Sequence, residues 1–333
     1  MSRQKVTFLG PVGTYSHQAA LQQFPDSSKY ELIPSSSIPS CFEAVLSNNE
    51  IEYAVIPLEN STNGQVVFTY DLIRDVLNKN NNDESSKSIN DYKNRKYPPL
   101  NIIGEQYVKI EHCLVVSDKD DLKNFDSINF ENLYSHPQVW GQVSEYLNKP
   151  DFKGKFKNII DCKSTSEAML RCKEDKQKGI HSLAIGSGAG AKVNECEIVE
   201  EGINNMKGNT TRFLTFVKRK DNEKQLSTLL LNSESLNEKS EEKIVMLTFT
   251  TLKEGPGSLV EVLKIFQNFN INMTSISSRP IGQQSGKWQY IFYVEYDYIE
   301  GLNWKDEILK EIDDRCLTWA LWGIFPRDPG YYV

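Results

Sequence analysis

Apolar positions change their period several times along this chain, and each change marks an element. Val6 to Leu9 is a short apolar run that reads as a strand, and Gly10-Pro11-Val12-Gly13 turns it into a helix whose apolar side carries Ala20, Leu21 and Phe24. Thr14 or Ser16 can cap that helix. Ile38 to Leu46 predicts a second helix, and Tyr53 to Leu58 a buried strand ending at its proline. Strand character returns over Ile102 to Ile110, Cys113 to Val116 and Ser182 to Ile185. Pro137 suits a first helical turn, so Ser135 or His136 stands near a cap, and Gln138 and Gln142, four residues apart, share one helix face. Asp161 to Leu170, with Ser164-Thr165-Ser166-Glu167 inside it, reads as strand, capping box and helix. Phe213, Thr215, Phe216 and Val217 predict a strand directly behind Gly208-Asn209-Thr210-Thr211-Arg212.

Two stretches break the pattern. Residues 78–96 turn to Asn, Lys, Ser and Asp, a composition that cannot bury enough surface to fold, and are expected to be a disordered insertion. Residues 219–243 are a polar linker. Beyond it the order is strand, helix, strand, strand, helix, strand: Ile244–Thr251, Pro256–Phe269, Ile271–Ser278, Trp288–Tyr296, Trp304–Ile312 and Leu317–Phe325. Leu259, Leu263 and Phe266 line one face of its first helix, and Trp288, Tyr290, Phe292, Val294 and Tyr296 alternate along its third strand. This βαββαβ order is the ferredoxin-like unit, whose free strand edge and Gly255-Pro256-Gly257 turn suit binding between paired subunits.

Composition then limits the partners. The 333 residues carry a net charge of -7 and no dense run of Lys and Arg, which argues against a nucleic-acid surface. No apolar run is long enough to span a bilayer, and no signal-like stretch precedes Val6, so a cytoplasmic protein is expected. Six cysteines without CxxC spacing read as reduced thiols, with no metal site.

Polar clusters supply the candidate chemistry. Glu59-Asn60-Ser61-Thr62-Asn63-Gly64 follows a buried strand, the place where ligands collect in open α/β sheets. Thr210-Thr211-Arg212 sets two hydroxyls beside a fixed cation. Free N–H groups at the helix start near Thr14 can hold a carboxylate. Gly186-Ser187-Gly188-Ala189-Gly190-Ala191 matches the loose dinucleotide fingerprint, but Glu195 to Val199 reads as extended a few residues later, leaving about one helical turn where that fingerprint needs a long helix. Close approach of helix to sheet explains those glycines better.

Taken together, Gly10 to Ala20, Pro57 to Gly64, Ser135 to Gln142 and Asn209 to Phe213, followed by the βαββαβ unit, resemble the prephenate dehydratases over nearly the whole chain. The resemblance implies an α/β catalytic region, residues 1–218, of two periplasmic-binding-protein-like lobes (about 1–110 with 196–218, and about 111–195) around a cleft. It further implies a C-terminal ACT domain over 244–326 that takes phenylalanine as feedback inhibitor, a tail at 327–333, no cofactor, and a homodimer or homotetramer. Carried over by motif, Thr211 is the catalytic hydroxyl, with Arg212, Asn60, Ser135 and Gln142 in the catalytic set. Thr14, Tyr15, Ser16, Glu59, Ser61, Gln138, Ser164, Thr165 and Phe213 are the implied substrate-binding residues. Gly257, Ser258, Leu259, Val260, Ser278, Arg279 and Pro280 are the implied effector site, where Ser258 replaces the family's Ala and Ser277 its Glu.

Prephenate must lose CO2 and water together, and its hydroxide leaves poorly unless a donor reaches it. A threonine held in line can serve, with aromatisation as the driving force. A cation gripping the ring carboxylate would stabilise the ground state, so Arg212 is expected to orient its loop or to meet the side-chain carboxylate. Arogenate dehydratase, acting on the amino counterpart, and a non-catalytic amino-acid sensor are the competing expectations.

Overall fold

The computed structural model describes residues 2–78, 97–219, 242–252, 255–281 and 289–331. The predicted insertion and linker lie, apart from Asn78, Arg219, Glu242 and Lys243, outside the described residues, and so does Trp288.

The elements, in chain order, are β1 (Gln4–Leu9), α1 (Tyr15–Gln23), β2 (Tyr30–Ser35), α2 (Ile38–Ser47), β3 (Ile51–Asn60), β4 (Gly64–Gln65), α3 (Val67–Asn78) and β5 (Leu100–Lys109). There follow β6 (His112–Val116), α4 (Lys119–Lys123), β7 (Phe130–Ser135), α5 (Pro137–Gln142), α6 (Ser144–Leu147), β8 (Phe156–Asp161), α7 (Thr165–Gln177), β9 (Ser182–Ser187), α8 (Gly188–Val193), β10 (Glu197–Glu200) and β11 (Thr210–Lys218). The last are β12 (Lys243–Thr251), α9 (Ser258–Asn268), β13 (Met273–Pro280), β14 (Tyr290–Tyr298), a π-helical turn at Trp304–Ile308, α10 (Leu309–Arg315) and β15 (Cys316–Pro326).

These strands form three sheets, ordered β2-β1-β3-β11-β5 with β4 beside β3, then β10-β6-β9-β7-β8, then β13-β14-β12-β15. In the first, Thr14 caps α1 by accepting from the His17 N–H. The buried face of α1 is Ser16, Ala19, Ala20 and Gln23, spaced i, i+3, i+4, i+7. Leu21, expected inside, falls off that stripe and is 44% exposed. The strand predicted to stop at Pro57 runs on to Asn60 and turns back through a three-residue loop, pairing Asn60 with Gly64. Gly64 takes φ +75, which only glycine adopts at little cost.

In the second sheet every residue of β6 is buried, because both faces are covered. Cys113 and Val115 pack with Ala168, Met169 and Cys172 of α7. Leu114 and Val116 join Val139, Tyr146 and Leu183 on the other side. β10 pairs with β6, so residues 197–200 lie in this second sheet and not in the first lobe expected from sequence. Gly186 lets α7 lie close, since a Cβ there would meet Met169 Cε at 2.6 Å. α8 is six residues long, too short for a dinucleotide crossover.

The C-terminal sheet follows the βαββαβ order with antiparallel pairs. Val262, Ile265 and Phe266 of α9 are buried against Val245, Leu247, Val294 and Tyr296, with Leu259 and Leu263 half-buried at the edge. Its other face is covered as well. Tyr293 stacks edge-on against Tyr70 at 5.0 Å, and donates a 2.7 Å hydrogen bond to the Tyr70 carbonyl. Arg219, expected as linker, is buried and donates to the Pro98 and Leu321 carbonyls at 2.8 and 3.1 Å. By contact the chain divides into two compact units, Met1–Cys41 with Val55–Gln65 and Tyr107–Phe213, and Phe42–Ala54 with Val66–Gln106 and Leu214–Val333. The division runs through β3, β5 and β11 instead of at residue 218, because the C-terminal sheet buries its second face on α3 and β5.

Gly323 of β15 is where β5 comes nearest: an added Cβ would overlap the backbone carbonyl of Ile102, which cannot swing aside. Gly323→Ala is expected to cost about 2 kcal/mol of unfolding free energy by forced backbone displacement. Urea denaturation measures it, and an unchanged midpoint would refute the close fit.

Candidate functional site

The turn after β3 sets the geometry. Asn60 Oδ1 accepts the backbone N–H groups of Thr62 and Asn63 at 3.0 and 2.9 Å. A backbone N–H can only donate, so this oxygen is an acceptor and the Asn60 amide nitrogen faces the other way. That nitrogen donates to Asn209 Oδ1 (2.7 Å), Thr211 Oγ1 (3.0 Å) and the Thr210 carbonyl (3.2 Å). Ser61 ties the turn to β11, its N–H donating to the Thr210 carbonyl (2.8 Å) and its hydroxyl accepting from the Thr210 N–H (2.9 Å).

Polarity then passes from residue to residue. With Asn209 Oδ1 accepting from Asn60, Asn209 Nδ2 donates to Gln142 Oε1 at 3.2 Å. Gln142 Oε1 also lies 2.9 Å from His112 Nε2, and His112 Nδ1 lies 3.1 Å from the Tyr15 hydroxyl, which donates to the Glu111 carbonyl at 3.0 Å. Two donor groups are left over. The Thr211 hydroxyl accepts from Asn60, and its own proton has no protein acceptor among the described residues. Gln142 Nε2 likewise has no protein partner among the described residues.

Arg212 is 4% exposed and donates to Glu59 Oε1 at 3.0 Å, with its guanidinium 6.0 Å from the ring centre of Tyr107. Its charge is therefore met beside Thr211.

The network brings together Tyr15, Asn60, Gln142 and Thr211 of the residues named from sequence, with Glu59, Ser61 and Arg212 beside them. Ser135 lies outside it: fully buried at the end of β7, it donates to the Ile185 carbonyl at 2.8 Å. Phe213 is packed in the core, 2% exposed. Gln138 is exposed in the first turn of α5, capped by the His136 imidazole. Thr14 is spent on the Leu9 and Pro11 carbonyls, Ser16 is buried in α1, Ser164 caps α7, and Thr165 is buried in the first turn of α7. His112 and Asn209 carry the chain and were given no role from sequence. A histidine opening the apolar run Cys113–Val116 was the available signal, since a buried ring of that kind needs partners for both nitrogens.

The implied effector residues fall at the start of α9 and at the end of β13. Gly257 holds φ +88 before α9, the Ser258 hydroxyl donates to the Gly255 carbonyl at 3.0 Å, Leu259 is half-buried, and Val260 is 50% exposed. Ser278 is exposed, whereas Ser277 points inward. Arg279 makes a two-pronged ion pair with Asp71 (2.9 and 3.1 Å), and the Pro280 carbonyl accepts from Arg74 at 2.7 Å.

Comparison with known proteins places the chain. A family profile described as prephenate dehydratase matches residues 6–221. A Saccharomyces cerevisiae protein named probable prephenate dehydratase is 42% identical over 98% of each chain. The chain belongs to the prephenate dehydratase family. The prephenate dehydratase of Methanocaldococcus jannaschii is 28% identical, over 96% of this chain and 97% of its own. A solved prephenate dehydratase from Arthrobacter aurescens, in complex with L-Phe, shares the fold with a TM-score of 0.71 at 21% identity, over 97% of this chain and 90% of that one. Residues 6–221 of the family match span β1 to β11 and so include every residue of the network.

Burial lowers the proton affinity of three histidines, His17, His112 and His136, below the usual imidazole value of 6.5. The unfolded chain therefore binds protons below pH 6.5 that the folded chain refuses, and stability must fall as pH drops through 6.5 toward the folded values. Thermal unfolding followed from pH 8 to pH 5 is expected to show a plateau above pH 7 and a decline below 6.5. A melting temperature that rises on acidification would contradict the neutral, buried rings.

Proposed function

We propose that this chain converts prephenate to phenylpyruvate, CO2 and water, with Thr211 as the proton donor to the departing hydroxyl. One observation carries this reading: Asn60 occupies a lone pair of Thr211 Oγ1, leaving the hydroxyl proton without a protein acceptor among the described residues. A hydroxyl held in that way has its proton turned away from Asn60, into the two remaining staggered positions, a restriction that helps a weak acid act as the C–O bond breaks. As that bond breaks the ring carboxylate leaves as CO2 and its bonding pair enters the ring. The six-electron ring forms, and the proton from Thr211 makes the leaving hydroxide water. The threonine regains its proton from solvent after product leaves. Gln142 Nε2 supplies an uncharged donor to the substrate, while Arg212, paired with Glu59, stays off the carboxylate that must lose its charge. The pairing also commits the carboxylate of the cluster, which favours the keto acid over the amine of arogenate.

We further propose that the C-terminal βαββαβ unit is an ACT domain that takes phenylalanine at Gly257–Val260 and Ser278–Pro280. In support, the related Arthrobacter aurescens protein was solved with L-Phe, Ser258 directly follows an exposed turn, and Ser278 is exposed on β13. A homodimer or homotetramer is the assembly this reading expects.

Incubating the purified chain with prephenate and following phenylpyruvate absorbance in strong base tests the activity, and arogenate as competing substrate tests the preference. Thr211→Ala is expected to lower kcat about 10²- to 10⁴-fold with KM little changed, and Thr211→Ser to lose less. Near-normal turnover by folded Thr211→Ala would end the assignment. Millimolar phenylalanine should release heat on titration into the full chain and slow turnover; no heat would remove the regulatory half.

A further inference from the structure

We infer that His112 is a positioning residue for this reaction: a neutral imidazole protonated on Nε2 that grips Gln142 Oε1 and so aims both Gln142 N–H bonds at the substrate. The inference rests on the dehydratase reading above, and it adds a residue that touches no substrate itself.

The tautomer follows from an anchor four hydrogen bonds away in the network. The backbone N–H groups of Thr62 and Asn63 fix Asn60 Oδ1 as acceptor, which makes Asn60 Nδ2 the donor to Asn209 Oδ1. Asn209 Nδ2 must then donate to Gln142 Oε1, so the atom facing His112 Nε2 at 2.9 Å is an acceptor. A lone pair on Nε2 would leave two acceptors face to face at that distance, which a site this buried does not tolerate. Nε2 therefore carries the proton. Nδ1 then keeps its lone pair and accepts from the Tyr15 hydroxyl at 3.1 Å, whose single proton can turn to it from the Glu111 carbonyl at 3.0 Å.

Placement supports the same role. His112 is 2% exposed, and its backbone N–H donates to Asn204 Oδ1 at 2.7 Å while Asn204 Nδ2 donates to the Ile110 carbonyl at 3.0 Å. The ring is thus held from the main chain, the side chain and β6 at once. A ring that served packing alone would have no need to face a residue whose amide nitrogen is unspent. Without the Nε2–H, the Gln142 amide can turn over and present its oxygen to the carboxylates of the substrate, replacing attraction with repulsion.

A double-mutant cycle separates positioning from packing. His112→Phe keeps the shape of the ring and removes both nitrogens; kcat/KM for prephenate is expected to fall about ten- to a hundredfold. His112→Gln can return an amide N–H to the place of Nε2 and is expected to recover a substantial part of the loss. In a Gln142→Ala background His112→Phe should cost less than about threefold more, because the residue it positions is gone. Equal losses in both backgrounds, or a His112→Gln no better than His112→Phe, would overturn the inference. Nitrogen-15 NMR of the wild-type side chain at pH 7 decides the same point without turnover. A protonated Nε2 that exchanges slowly, and faster in Gln142→Ala, is expected, while a protonated Nδ1 would overturn it. A wild-type chain inert toward prephenate would sink the dehydratase reading, and the NMR result would still judge the hydrogen bond.

Discussion

Two backbone N–H groups, those of Thr62 and Asn63, fix the sense of the amide row Asn60–Asn209–Gln142 by donating to Asn60 Oδ1. An amide side chain can be turned over without changing its shape, so a row of amides has two self-consistent arrangements of opposite polarity. Only a group that cannot reverse selects one of them. The main chain is such a group, and the tight turn between β3 and β4, closed by Gly64 at positive φ, puts it within reach. From that point donation runs on one branch through Asn209 to Gln142 Oε1, which thereby faces His112 Nε2 as an acceptor, and on the other branch it ends at Thr211.

Such a row is stiff because each member is specified twice. Asn209 is 6% exposed and His112 2%, so a wrongly turned amide would leave buried groups unmet at about 1–3 kcal/mol each. Low local polarisability strengthens the correct arrangement and penalises the wrong one alike. The framework underneath is of the same kind. β3 and β11 are neighbours in the first sheet, the Ser61–Thr210 contacts lock their ends together, and β6 presents His112 from a strand buried on both faces. Side chains carried at strand ends of packed sheets move little, and the donor geometry inherits that rigidity.

Much of this was legible in the chain. Strand and helix periods gave the elements of the N-terminal region and the βαββαβ order, because burial imposes those periods directly. The polar clusters at residues 59–64 and 208–213 were visible because turn residues stand out against apolar strands. Harder to read were the features set by contacts between elements far apart in the chain. Leu21 is exposed because the α1 stripe is chosen by what it packs on. Ser135 points into β9, Arg219 is buried by residues about a hundred positions away, and β10 joins the second sheet through β6. His112 escaped for the same reason: its partners, Tyr15 and Gln142, lie 97 and 30 residues away, and no local spacing announces them.

The arrangement suits a reaction in which charge disappears. A guanidinium next to a carboxylate that must leave as CO2 would hold the reactant about as firmly as it assisted anything later, and binding energy of that kind raises the barrier it was meant to lower. Here the cation that follows Thr211 in the chain is paired: Arg212 is buried, and its guanidinium donates to Glu59. What remains beside the hydroxyl is a set of neutral amides, Asn60, Asn209 and Gln142, backed by a histidine whose proton affinity burial lowers. Neutral dipoles grip a carboxylate weakly, and they keep their orientation as it goes. Orientation is also what a poor acid lacks in water, where a threonine hydroxyl points wherever solvent takes it. The hydrogen bond from Asn60 to its oxygen narrows that freedom, and on the proposed role a narrowed direction is what lets an alcohol compete with a stronger but less well placed acid.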